Sequence, residues 1–139
     1  MHSLLKNIEM AYIEYAAKWN QSDITFPFGT TPTGDGGRHI EISADGKMAL
    51  VGTDRSLETT RQDTYSLNEL LYWIFSAQAE SRGWKYELAH RHPNEDPRRV
   101  VFSKALEEIG KLNPNWRERM KCEQEEILRK HPFNDGSRI

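Results

Sequence analysis

A single α+β domain is the fold class this sequence predicts: an N-terminal helix, a small antiparallel β-meander, and three C-terminal helices packed on one side of the sheet. Three observations predict it. Apolar residues recur at helical spacing over residues 3–20. Polar and apolar side chains alternate in His39–Ser43 and return after an Asp-Gly pair. From Tyr65 to Asp135, three amphipathic segments with capping residues follow almost end to end. At 139 residues the chain has the length of one domain, residues 1–139, and can bury about two-thirds of its unfolded surface.

In the first segment Leu4, Leu5, Ile8, Tyr12, Tyr15 or Ala16, and Trp19 fall on one face of a helix. Ile24 to Phe28 is short, β-branched and aromatic, and runs through Pro27 into Gly29–Gly37, a Gly- and Thr-rich loop. His39 to Ser43 alternates with the period of a half-buried strand. Asp45-Gly46 suits a hairpin turn that needs a positive φ. Lys47 to Gly52 is the returning strand, and Thr-rich Ser56 to Gln62 the third. Having few apolar side chains, this third strand is expected at a sheet edge or under a cover.

Ser66 and Glu69 have the spacing of a capping box, in which each side chain satisfies the other's backbone N–H. Leu67, Leu70, Leu71, Ile74 and Phe75 follow as a buried stripe. Gly83 is a place for that helix to bend or end, and Pro93 stops it. Asp96-Pro97 and Asn113-Pro114 are helix starts: a capping side chain, then a proline whose missing N–H costs nothing at the first position. The expected inner faces are Phe102, Ala105, Leu106 and Ile109, then Trp116, Met120, Ile127 and Leu128.

Composition excludes several classes. Charge of both signs with a net of −2 does not mark a nucleic-acid binder. No stretch approaches the ~18 apolar residues of a membrane span. Lys6, Glu9, Glu14 and Lys18 interrupt any signal-peptide run. Cys122 is the only cysteine, which fits a reducing compartment. These features lead us to expect a soluble cytoplasmic protein. Charge is uneven along the chain: residues 1–63 carry six Lys/Arg against nine Asp/Glu. Five of those acids, Glu41, Asp45, Asp54, Glu58 and Asp63, fall close together. They read either as a solvated sheet face or as an acidic patch that steers a basic partner.

The search for chemistry returns no catalytic set, no metal site and no cofactor motif. His90, His92 and Glu87 offer too few ligands to close a zinc site. Gly34-Asp35-Gly36-Gly37 precedes a strand and lacks the Lys-Ser/Thr of a phosphate loop. Cys122 has no histidine base placed by sequence. Glu107-Glu108 and Glu125-Glu126 point about 100° apart on a helix and read as solvated faces. Trp19, Trp73, Trp84 and Trp116 have no basic strip around them and read as core or boundary aromatics. The chain is not expected to be an enzyme.

A string of motifs in the C-terminal half resembles a known family. It comprises Leu67-Asn68-Glu69-Leu70-Leu71-Tyr72-Trp73-Ile74-Phe75, Tyr86-Glu87-Leu88 with Arg91, Arg98-Arg99, Phe102-Ser103-Lys104 and Leu106-Glu107. It continues with Gly110-Lys111-Leu112-Asn113-Pro114, Trp116, Glu126-Ile127-Leu128 and His131-Pro132-Phe133-Asn134-Asp135. On these residues, about half the chain, it resembles immunity protein family 63 of bacterial polymorphic-toxin and contact-dependent growth inhibition systems. The N-terminal half is similar only in pattern. The resemblance implies a cytoplasmic protein that binds and neutralises the C-terminal domain of a cognate secreted toxin, commonly by covering its active site. Toxins of this kind are mostly nucleases, whose basic grooves an acidic patch would complement. Leu70, Leu71, Ile74, Phe102, Leu106 and Trp116 are then core, and Arg91, Arg98, Arg99 and Asp135 a network locking the helices. Toxin contact is left to the meander, at Glu41, Asp45, Asp54, Glu58 and Asp63. Two other classes stay open: a regulatory binding module with a non-toxin partner, and a small hydrolase with converging polar groups in a pocket.

Overall fold

The computed structural model describes residues 2–19, 23–33 and 35–136. Asn20, at the expected end of the first helix, and Gly34, in the expected loop, lie outside the described residues. In chain order the elements are α1 (His2–Ala17), β1 (Asp35–Ile42), β2 (Met48–Asp54), β3 (Leu57–Thr64), α2 (Leu67–Ala89), α3 (Arg98–Leu112) and α4 (Pro114–Lys130). The fold is α+β, with the helix, antiparallel meander and three helices in the predicted order. Two compact units divide it, Met1–Tyr72 and Trp73–Ile139. No helix among the described residues is long and apolar enough to cross a membrane.

In the first unit α1 buries Ile8, Tyr12 and Ala16, four residues apart on one face. The apolar run 24–28 forms no strand. Phe26 meets Tyr12 edge-on at 5.4 Å and Phe28 at 5.7 Å, and Gly29 O then accepts the Ile40 N–H at 3.0 Å. Its aromatic side chains pack locally, and Pro27 in any case supplies no ladder N–H.

The sheet order is β1-β2-β3, antiparallel throughout. β1 begins four residues earlier than its alternation indicates, inside the Gly-rich stretch. Gly36, at φ +86°, takes a left-handed conformation, and the register shifts between Asp35 and Arg38. A glycine at such a bulge lets pairing resume beyond it. The first hairpin closes as expected: Gly46 has φ +91°, and the Ser43 N–H donates to Lys47 O at 2.8 Å. The second turn carries no glycine. Arg55 and Ser56 both hold positive φ, 54° and 67°, a conformation that costs an L-residue about 1–2 kcal/mol.

β2 is the central strand, buried from Met48 through Thr53, whereas β3 is exposed from Leu57 through Asp63. The polar composition of β3 is that of an edge.

At the start of α2 the Ser66 Oγ accepts the Glu69 N–H at 3.1 Å, and the Ser66 N–H donates to Thr64 Oγ1 at 2.9 Å. Leu70, Leu71, Ile74, Phe75 and Ala79 are buried. Gly83 neither bends nor ends this helix. A Cβ there would lie 2.5 Å from Val101 O, so the glycine admits the backbone of α3.

In the second unit Asp96 caps α3 through the Arg98 N–H (2.9 Å), and Asn113 caps α4 through Asn115 and Trp116 N–H (2.9 and 3.3 Å). The α3 stripe is Val101, Ala105, Ile109 and Leu112, with Phe102 and Leu106 half-buried at its margin. On α4, Trp116, Met120 and Gln124 face inward, while Ile127 is exposed. Gln124 takes that place because its amide donates to Phe102 O at 3.1 Å. Phe75 stacks on Trp116 with ring centroids 6.0 Å apart.

Candidate functional site

The five acids singled out from sequence lie on the meander, and its register decides which of them meet. Glu41 pairs with Ala49 and Ala49 with Asp63; His39 pairs with Val51 and Val51 with Arg61. Residues so aligned share one face of the sheet. Arg61 is the centre of that face. Its guanidinium donates to Glu41 Oε1 at 2.8 Å, to Glu58 Oε1 at 2.9 Å and to Asp63 Oδ1 at 3.5 Å. Three of the five acids are therefore gathered around one cation, twenty residues of chain separating Glu41 from Arg61.

The other two stand apart. Asp45 sits in the first hairpin turn, where its Oδ2 accepts the Tyr65 hydroxyl at 2.6 Å and its Oδ1 the Lys47 N–H at 3.2 Å. Asp54 ends β2 at the opposite end of the sheet, paired with Asp35 and Leu57. Six residues of strand from Met48 to Asp54 separate those ends by about 20 Å.

His39 supports the cluster from below. It is fully buried, and its Nε2 lies 2.8 Å from Glu41 Oε2. A carboxylate only accepts, so Nε2 carries the proton. Its Nδ1 has no hydrogen-bond partner among the described residues. Glu41 is thus held from two sides, and Arg61 first, His39 second, keep its carboxyl below the ordinary range. The Arg61 guanidinium is raised in turn by Glu58 and Glu41. The Tyr65 hydroxyl, then the Lys47 N–H, lower Asp45, and Asp45 raises Tyr65. Sequence reading missed Arg61 and His39. The spacing of Arg61 two residues before Asp63 places both on one strand face, but its link to Glu41 needs the register.

A second polar assembly lies in the second unit. Asp96 accepts from Arg98 Nη2 and Asn134 N, each at 2.9 Å, and its own N–H donates to Asp135 Oδ1 at 2.8 Å. Arg98 also donates to His131 O and Pro132 O at 2.8 Å each, while Arg99 grips Asp135 with two nitrogens at 2.9–3.2 Å. Phe133 lies under Arg99, 4.2 Å from ring centroid to guanidinium. The expected network of Arg98, Arg99 and Asp135 therefore exists, organised by Asp96, and it ties the segment after α4 to the start of α3. Arg91 is no part of it: it reaches Glu87 of α2, one helical turn back, at 3.1 Å.

Glu108 also departs from expectation, being 5 % exposed and not solvated. Burial acts to raise its carboxyl, but Lys111 and Arg82, at 2.6 and 3.0 Å, outweigh burial and leave it lowered. Near the candidate zinc ligands, the His90 ring stacks on Tyr86 at 4.1 Å. Among the described residues no group of three or more His, Cys, Asp or Glu is arranged to hold a metal ion.

The family described as immunity protein 63 matches the chain over residues 44–126. No curated protein and no solved structure matches it. The match reaches further toward the N-terminus than the motifs quoted above, taking in β2 and β3, and ends at Glu126, before His131–Asp135. It covers well over half of the chain, which belongs to the immunity protein 63 family and is an immunity protein directed against a toxin.

Proposed function

We propose that this protein acts in the cytoplasm by binding a nuclease toxin domain and covering its active site with the carboxylate face of the meander. Family membership supplies the class of partner, a toxin. The observation that carries the finer reading is the composition of one sheet face. Glu41, Glu58 and Asp63 surround Arg61, three carboxylates against one guanidinium, an excess of two negative charges on an exposed surface. A nuclease groove is lined with Lys and Arg that hold phosphates. Carboxylates on a rigid sheet can occupy those phosphate positions, and their field accelerates encounter with such a groove. Asp45 and Asp54, near the two ends of β2, extend the negative field along the sheet. Function is then stoichiometric binding, with no reaction performed by this chain.

The test replaces Glu41 and Glu58 with Gln and Asp63 with Asn together. The partner is the cognate toxin domain, to be sought as the C-terminal domain of a secreted protein encoded in the reading frame immediately upstream of this chain's. Association with that domain is expected to slow by about tenfold or more at low salt and to lose most of its salt dependence. The fold should be retained: Glu58 and Asp63 are exposed, where substitutions seldom change stability by more than ~0.5 kcal/mol, and Glu41→Gln keeps a side-chain oxygen to accept from His39 Nε2. An unchanged rate with an unchanged salt slope would remove the carboxylate face from the interface while leaving the immunity role intact.

A further inference from the structure

The outer edge of β3 is open, and the phase of the ladder tells which main-chain groups point out of it. On β1 the Ile40 N–H donates to Gly29 O, away from β2, while the Ser43 N–H donates to Lys47 O, into the hairpin. Successive residues of an antiparallel strand face alternate neighbours. Both bonds therefore give one phase: His39 and Glu41 bond to β2, and Ile40 and Ile42 face away. Their partners on β2 follow. Val51 and Ala49 bond back to β1, which leaves Leu50 and Met48 to bond to β3. Gln62 and Thr64, their partners, face β2. Arg61 and Asp63 are left with N–H and C=O directed outward from the sheet. No described residue takes these groups in a backbone bond outside the ladder, and Leu57 through Asp63 are all exposed.

The same two residues carry side chains of the carboxylate face. A strand laid along this edge would place the side chains opposite Arg61 and Asp63 on that face, beside Glu58. Its intervening side chains would fall beside a shallow depression of about 550 Å³ lined by Arg38, Gly52, Thr59, Thr60, Arg61 and Gln62. Gly52 leaves that depression open; a Cβ there would come within 2.5 Å of Thr60 Oγ1. A second copy of this chain is disfavoured as the occupant, because it would bring one excess-negative face against another.

We infer that an extended segment of the toxin domain adds to β3 as a fourth strand, with a basic side chain opposite Asp63 on the carboxylate face. It bonds to the main chain of Arg61 and Asp63. This inference rests on the immunity reading for the identity of the partner, and on edge geometry and charge for the mode of binding. Main-chain bonds supply the affinity in such strand addition and alternate side chains the specificity. The bulge in β3 between Glu58 and Thr60, together with its charges, limits pairing with unintended strands.

Amide hydrogen exchange of the full chain tests it at three adjacent residues. Alone, Gln62 should exchange slowly, and Arg61 and Asp63 fast. Saturated with the cognate toxin domain, Arg61 and Asp63 should slow by at least about tenfold while Gln62 changes little. Fast exchange at both residues in the saturated complex overturns the inference. So does slow exchange in the chain alone that deepens with its concentration, which would mean self-pairing. A pair of variants gives an independent reading. Asp63→Asn and Asp63→Pro lose the same charge, but only proline removes the outward N–H, a position where an edge strand accepts it. The proline variant should bind the toxin domain at least about tenfold more weakly than the asparagine variant. Equal affinities overturn strand addition and leave immunity standing. Failure of the unaltered chain to bind or protect against that domain overturns the immunity reading and this inference with it.

Discussion

Asp96 shows how much one side chain can organise. Its carboxylate caps α3, holds Arg98 and receives the Asn134 N–H, so three segments meet at a group only 5 % exposed. The Arg98 guanidinium, followed by the Asn134 and Arg98 N–H groups, holds this carboxyl far below the ordinary range against the opposing effect of burial. Arg99 lowers Asp135 in the same way. The sign of the pH dependence follows. A carboxyl whose folded value lies below its unfolded value, about 4, contributes fully above pH 4 and loses that contribution as pH falls toward the folded value. Unfolding titrations should therefore show stability declining below about pH 4. Asp96→Ala should cost about 2–3 kcal/mol at neutral pH, because charged acceptors of several donors are lost, and should flatten the acid decline. A variant as stable as the parent at pH 7 would mean that the Arg98–Asp96–Asp135 assembly only decorates the surface.

At the level of elements, local signals were legible and long-range ones were not. Asp96-Pro97, Asn113-Pro114 and Asp45-Gly46 each act within four residues of chain, and each stands where the sequence indicates. The turn at Arg55-Ser56 gave no glycine signal, since its conformation is imposed by the strands that it joins. Gln124 could not be read as an inward residue because its partner, Phe102 O, belongs to another helix. Within the candidate site the acids were visible as a cluster in sequence, but Arg61, which assembles three of them, becomes apparent only with the strand register. Gly83 is the sharpest instance. Sequence makes it a weak point of α2, whereas the structure makes it a contact point with Val101. Gly83→Ala improves helix propensity by about 1 kcal/mol, yet the new methyl meets a backbone carbonyl that cannot rotate away. Overpacking of that kind costs about 1–3 kcal/mol. Thermal unfolding should show the variant destabilised overall; a raised melting temperature would mean that α2 and α3 do not approach so closely.

For the whole molecule, the two halves of the fold suit different tasks. The helices of the second unit are tied by caps, by ion pairs to the buried Glu87 and Glu108, and by the Asp96 assembly. The meander of the first unit instead ends in an exposed edge with excess negative charge and unspent main-chain groups. Such a division fits a protein that acts by presenting a surface, as membership of an immunity family implies. Titrating the purified cognate toxin domain with this chain, while following the toxin's activity, tests that account most directly. Activity should fall in proportion to added chain, end at a fixed molar ratio, and return when the complex is dissociated. Toxin activity that persists with the chain in excess, or that vanishes at a small fraction of equivalence through turnover, would contradict it.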